Sequence, residues 1–219
     1  MTNYIATTDL SAYAPELDTS QYSAVTLSGI IGRATDYINN YCNVKGFEAA
    51  VETSERDRVM INPAGELTIP VRRPQILSVS AIRLVHGTYS VNLTLTSNGS
   101  PIYQIPYPGN RLCYPDSYLD SSGTLIQGAS TRLLALRGSK LFYEIDYTGG
   151  YYDIPGPIKE ACTLLVRDII STRNNQDGVI GFSQGSYSVQ FGNTSSAGGR
   201  SKLAQMADTL LEPYVQRWI

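Results

Sequence analysis

The stretch from Lys140 to Ile170 constrains this chain more tightly than any other. Lys140 to Tyr147 alternates, with Leu141, Tyr143, Ile145 and Tyr147 on one face and Phe142, Glu144 and Asp146 on the other, the period of a half-buried strand. Gly149-Gly150 supplies the backbone freedom for a sharp exit from a sheet. Pro155 and Pro157 cannot donate ladder hydrogen bonds but suit the first turn of a helix. Ile158, Ala161, Cys162, Leu165 and Ile169 then recur on one helical face, and Leu164, Val166 and Ile170 widen the apolar surface beyond a stripe. Such a helix needs cover on more than one side, from its own domain or from a neighbouring subunit.

Two further helices are legible. Leu27, Ile30, Ile31, Ala34, Ile38 and Tyr41 form one stripe, with Asp18-Thr19-Ser20 as upstream caps and Asn39-Asn40 and Asn43 to Gly46 as the end. Near the C-terminus Leu203, Met206, Ala207, Leu210 and Tyr214 form another, and Pro213 must kink or restart it. Residues 1–18 are polar, and Thr8-Asp9-Leu10 suits one short helix at most. Gly46 to Arg58 is charged and carries no clear period.

Between Ile61 and Tyr147 no helical period outlasts a turn. Short β-rich runs replace it: Glu66–Val71, Ile76–Val85, Tyr89–Thr96, Ile102–Ile105, Thr124–Ile126, Leu133–Leu136 and Leu141–Tyr147, with Asn98-Gly99 as the strongest hairpin signal. The expected fold is therefore α+β. A helical bundle framework of the first, second and last helices (residues 1–60 and 147–219) carries an inserted antiparallel β-sandwich or barrel (61–146).

Asn174 to Gly199 is a long polar loop with a candidate hairpin inside it, in which Tyr187, Val189 and Phe191 alternate with Ser186, Ser188 and Gln190. A lone hairpin is marginal in water and wants a partner. Ile180, Phe182, Tyr187, Val189 and Phe191 are accordingly the candidate partner-contact residues, with Tyr214 and Trp218 beyond Pro213 as a second anchor set.

A net charge of −2 and only four lysines argue against a protein that grips nucleic acid by general electrostatics. No apolar run approaches the roughly 20 residues needed to cross a bilayer, and Met1 to Leu10 lacks the pattern of a signal peptide. Cys42, Cys113 and Cys162 are widely spaced and read as reduced thiols, the first and last on apolar helix faces. Sixteen tyrosines against four phenylalanines suit either a Tyr-rich sheet or a contact surface.

No motif survives as an active site. Gly181-Phe-Ser183-Gln-Gly185 matches a nucleophile elbow, but an alternating strand follows it and the single histidine, His86, lies upstream. Gly123 to Ser130 has phosphate-loop spacing with Ala129 where lysine is required. Asp116 with Asp120, and Glu144 with Asp146, read as solvated carboxylates. The chain is read as no enzyme, with no catalytic, cofactor or metal residues.

The pattern resembles the head-tail connector (adaptor, or head completion) proteins of tailed bacteriophages, the gp6-like group with an inserted β-domain. The carrying features are Leu27-x-x-Ile30-Ile31-x-x-Ala34-x-x-x-Ile38-x-x-Tyr41, Tyr143-Glu-Ile-Asp-Tyr147-Thr-Gly-Gly-Tyr, Ile154-Pro155-x-x-Ile158-Lys159-x-Ala161, Ser186-Tyr-Ser-Val-Gln-Phe191 and Leu210-Leu211-x-Pro213-Tyr214. The resemblance implies a structural virion protein at the head-tail junction, assembled in the host cytoplasm. It would form a ring, normally twelvefold, beneath the portal protein, meet a tail, stopper or nozzle protein, and pass DNA through its channel as non-specific cargo. The alternatives are a β-rich binding module of a phage tail or fibre, favoured by an exposed aromatic platform on the sheet, and an enzyme with an unrecognised site.

Overall fold

A computed structural model describes residues 3–15, 19–61, 67–97, 100–105, 111–114, 117–119, 125–127, 142–174, 181–184, 187–190 and 201–216. The chain divides into two compact units: Met1–Asn43 with Ile154–Arg217, and Val44–Asp153 with Trp218–Ile219. The division thus falls at 43/44 and 153/154, where the sequence reading drew it at 60/61 and 146/147.

In the first unit α1 (Leu10–Tyr13) is a single turn and α2 (Ala24–Cys42) is 19 residues long. The cap of α2 is Ser23, whose Oγ accepts from Thr26 N at 3.2 Å, rather than the Asp18-Thr19-Ser20 expected from sequence. Asn43 ends the helix in the left-handed conformation at φ 55°, its N–H reaching Asn39 and Asn40 carbonyls. Residues at the start of the chain are less polar in use than in composition: Tyr4, Ile5, Leu10 and Ala14 are all buried.

Helix α3 (Gly156–Asn174) packs against α1, α2 and α4 (Lys202–Leu211). Ile31, Ile38, Cys162 and Leu165 are buried where the matching stripes of α2 and α3 require it. Every residue from Ala161 to Val166 is buried, so the chain itself covers this helix on several sides. On α4 the buried face is Ala204, Ala207 and Leu211, while Met206 is 56 % exposed, a rotation from the stripe read in sequence. Pro213 neither kinks nor restarts the helix; the chain tightens into a 3₁₀ turn at Glu212–Tyr214 and leaves it.

The second unit is organised by one antiparallel sheet in the order β1-β11-β4-β5 (Ala50–Arg58, Phe142–Gly149, Ile76–His86, Tyr89–Asn92). On β11 Tyr143, Ile145, Tyr147 and Gly149 are buried and the residues between them half-buried, the alternation seen in sequence. Strands β2 (Met60–Ile61), β3 (Leu67–Pro70) and β8 (Arg111–Tyr114) make a separate three-stranded sheet. Side chains of β3, β4, β8 and β11 share one core that includes Ile69, Ile82, Leu112, Tyr143, Ile145 and Tyr147. Two-stranded pieces complete the β structure: β6 (Thr96–Ser97) with β7 (Ser100–Pro101), and β9 (Ser117–Leu119) with β10 (Leu125–Gln127).

The expected helical bundle framework carrying a sandwich or barrel is corrected by this arrangement. The fold is mixed, its main β element an open four-stranded antiparallel sheet with small sheets beside it. The reason is length and pairing. Among the described strands only β1, β4 and β11 run eight residues or more and pair over most of that length, while the shorter ones cover four residues of β4 or form sheets of two or three strands. On the helical side two 19-residue helices are joined by one of ten. The expected strand Leu133–Leu136 and the turn Asn98-Gly99 lie outside the described residues.

Candidate partner-contact surface

The first unit carries the hairpin. Strands β12 (Gly181–Gln184) and β13 (Tyr187–Gln190) pair antiparallel, with Phe182 opposite Val189, Ser183 opposite Ser188 and Gln184 opposite Tyr187. They form a two-stranded sheet of their own, and no third strand joins it among the described residues. Phe182, Tyr187 and Val189 are therefore brought together by one register, whereas Ile180, Phe191 and Trp218 lie outside the described residues. The same register settles Gly181-Phe-Ser183-Gln-Gly185: its serine sits within a strand that is followed by another strand, not at a strand-to-helix elbow.

Tyr214 sits half-buried in the 3₁₀ turn, away from the hairpin in sequence. Past that turn the Gln216 N–H donates to the Cys42 carbonyl at 2.9 Å. The Gln216 side chain is buried with neither amide atom hydrogen-bonded. Above it, Tyr37 donates to Asp208 Oδ1 at 2.7 Å and Tyr41 to Glu212 Oε2 at 3.4 Å. Both pairs are spaced by four residues, so one face of α2 meets one face of α4 in register. Sequence reasoning assigned Tyr41 only to the apolar stripe; the Tyr37 and Tyr41 hydroxyls are the missed contribution. Burial and the nearby Asp208 and Glu212 charges raise the Tyr41 hydroxyl above its ordinary pKa.

In the second unit the two tyrosines of β11 are interior struts. Tyr143 and Tyr147 are 1 % exposed, and their hydroxyls reach the Pro70 carbonyl and, at 2.8 Å, Glu55 Oε2. Tyr114 donates to the Thr94 carbonyl at 2.8 Å. Burial raises the pKa of Tyr143 and Tyr147, so both remain neutral donors. On the other face of β11 the Arg56 guanidinium lies 4.8 Å from the centre of the Phe142 ring.

The carboxylates have structural partners. Glu144 stands between Arg56 and Arg83 on adjacent strands, 3.7 Å from each, and Asp146 accepts from Ser54 N at 2.6 Å. Glu52 and Arg73 are paired inside the unit at 2.6 Å, with Lys45 on the same carboxylate. His86 ends β4, half-buried beside Gly87 at φ 60°. Among the described residues no group of three or more His, Cys, Asp or Glu is placed to hold a metal ion. No helix of the described residues is long and apolar enough to cross a membrane. Asp116 and Asp120 lie outside the described residues.

A last feature is the edge of β4. Along Arg83 to Val85 it pairs with β5 on one side and β11 on the other, His86 pairs with Tyr89 of β5, and Leu93 N extends the β5 side to the Ile82 carbonyl. From Ile76 to Ala81 only the β11 side is paired among the described residues. Ser78 and Ser80 are exposed there, and Leu77, Val79 and Ala81 half-buried.

Comparison of the chain with models of known protein families and with curated proteins finds no match.

Proposed function

We propose that this protein is a head-tail adaptor of a tailed bacteriophage, a structural virion protein whose copies ring the DNA channel beneath the portal. The observation that carries the reading is the order of elements. The chain leaves its first long helix at Asn43, builds a complete β unit, and enters a second long helix at Gly156. A two-stranded hairpin and a short, proline-terminated helix then follow. The uncharged hairpin is the contact element, through Phe182, Tyr187 and Val189 in its strands and Ile180 and Phe191 beside them in sequence. Tyr214 and Trp218 form the second set. A chain of net charge −2 suits a channel that lets DNA slide without holding it.

The test is electron microscopy and native mass spectrometry of the purified full chain over a concentration series. The expected result is a closed ring with a central hole, normally twelvefold, in equilibrium with subunits. A protein that stays monomeric at every concentration, alone and with portal protein, overturns the reading.

A further inference from the structure

Helix α4 gives small side chains to its own core and large ones to solvent. Its buried face is Ala204, Ala207 and Leu211. Leu203 and Leu210 are only half-buried, and Met206 between them is 56 % exposed. A helix that serves one core alone turns its largest apolar residues inward, where burial is worth most. Two neighbours fix the orientation of α4. Asp208 and Glu212 accept from Tyr37 and Tyr41 of α2, and the helix packs along α3. At 3.6 residues per turn Leu203, Met206 and Leu210 share the flank opposite Asp208 and Glu212. Val25, Val51, Val91 and Tyr152 are also exposed, but scattered singly, which is ordinary for a protein surface. The flank of α4 is different, because its apolar residues follow one another at helical spacing and no charge interrupts them.

The same unit holds an element that lacks such a support. Strands β12 and β13 pair only with each other among the described residues. Their register places Phe182, Gln184, Tyr187 and Val189 on one face of the two-stranded sheet, and Gly181, Ser183, Ser188 and Gln190 on the other. A two-stranded sheet with one largely apolar face needs a helix or further strands against that face. Four strand residues span about 13 Å, and the helical run from Leu203 to Leu210 about 10 Å, so the two surfaces match in length. Neither carries a charge. The hairpin of the same chain leaves the flank open, since Met206 is exposed in its presence.

We propose that the apolar face of the β12–β13 hairpin packs on the Leu203–Met206–Leu210 flank of α4 in a second copy of this chain, a proposal that rests on the adaptor reading above. Donor and receptor are different surfaces, so the contact is heterologous. Each copy gives a hairpin and accepts one, and such contacts propagate until they close into a ring. Packing of α4 on α4 across a twofold axis would stop at two copies and leave every hairpin without support.

Native mass spectrometry of full-length variants tests this. Met206→Glu spoils the receptor and Tyr187→Glu spoils the donor. Each alone is expected to stay as single subunits with the melting temperature of wild type, and Met206→Leu to form rings as wild type does. Mixed together, the two charged variants still hold one intact donor and one intact receptor. The mixture is therefore expected to give one-to-one pairs and nothing larger. A mixture without pairs, or pairs formed by either charged variant alone, overturns the proposal. Rings of wild type that persist in Met206→Glu or in Tyr187→Glu overturn this contact and leave the adaptor reading standing. Wild type that forms no ring, alone or with portal protein, overturns both.

Discussion

Arg73 Nε donates to Glu52 Oε1 at 2.6 Å, and both side chains are 8 % exposed. The same guanidinium donates to the Glu48 carbonyl at 2.8 Å, and the Arg73 N–H is held by the Tyr147 hydroxyl at 3.1 Å. One arginine thus ties the segment before β1 to the end of β11. Arg73→Ala leaves a buried carboxylate with only the half-exposed Lys45 beside it. Breaking a buried pair in this way costs about 3–5 kcal/mol. Urea unfolding followed by tyrosine fluorescence should show that loss, and a change below about 1 kcal/mol would place the pair among surface bridges.

The pH dependence of the same group has a definite sign. Burial works to raise the Glu52 carboxyl, but the hydrogen bonds and charges of Lys45 and Arg73 outweigh it and hold the pKa below its ordinary value. The contribution is therefore present above the unfolded value of roughly 4.3 and is lost as pH falls through the lower folded value. Thermal melts of wild type should fall through the acid range. Glu52→Gln should start lower and show a flatter fall there; a parallel curve would remove Glu52 from the explanation.

Gly150 has φ +107°, and a Cβ there would lie 2.2 Å from the Glu48 carbonyl oxygen. Its N–H is already engaged with the Pro74 carbonyl at 2.7 Å, so the backbone has little room to turn away. Gly150→Ala should cost about 1–3 kcal/mol in backbone strain alone, with the steric overlap added to it. Gly87→Ala is the comparison: its φ is +60° but open space surrounds it. Equal melting temperatures for the two variants would mean that the turn relaxes freely.

The three thiols should separate by reactivity. Burial, then the Asp208 and Glu212 charges, pushes Cys42 up to about 12; burial pushes Cys162 up to about 12 against a hydrogen bond with Thr35. Cys113 is half-buried on β8. A thiol reagent at neutral pH should modify one cysteine in the native protein, Cys113, and all three in denaturant. Rapid native modification of Cys162 would show that α3 opens on that timescale.

Replacing residues 44–153 with a short Gly/Ser linker should leave a soluble protein with a helical circular dichroism spectrum, because the first unit has its own packed helices. Cutting at Ile61 and Tyr143 instead would strand β1 and most of β11 without β4. An unfolded 44–153 deletion would show that the helices depend on the β unit.

Much of this protein was determined by local pattern. The stripes of α2 and α3, the alternation of β11 and the Gly149-Gly150 exit follow from side-chain period and backbone freedom, which neighbours in sequence set among themselves. The paired hairpin strands were legible in the same way. Tertiary structure decided what depends on distant partners. Ala50 to Arg58 has too many charges to read as a strand; it becomes one because β11 supplies its ladder and Arg73 meets Glu52. Thr19 and Ser23 offer similar hydroxyls, and the cap fell to Ser23 once the buried face of α2 set where the helix begins. How far β5 covers β4 has no signature in sequence either: it pairs with four residues of an eleven-residue neighbour, and where that pairing stops is set between the two strands rather than by the local pattern of either.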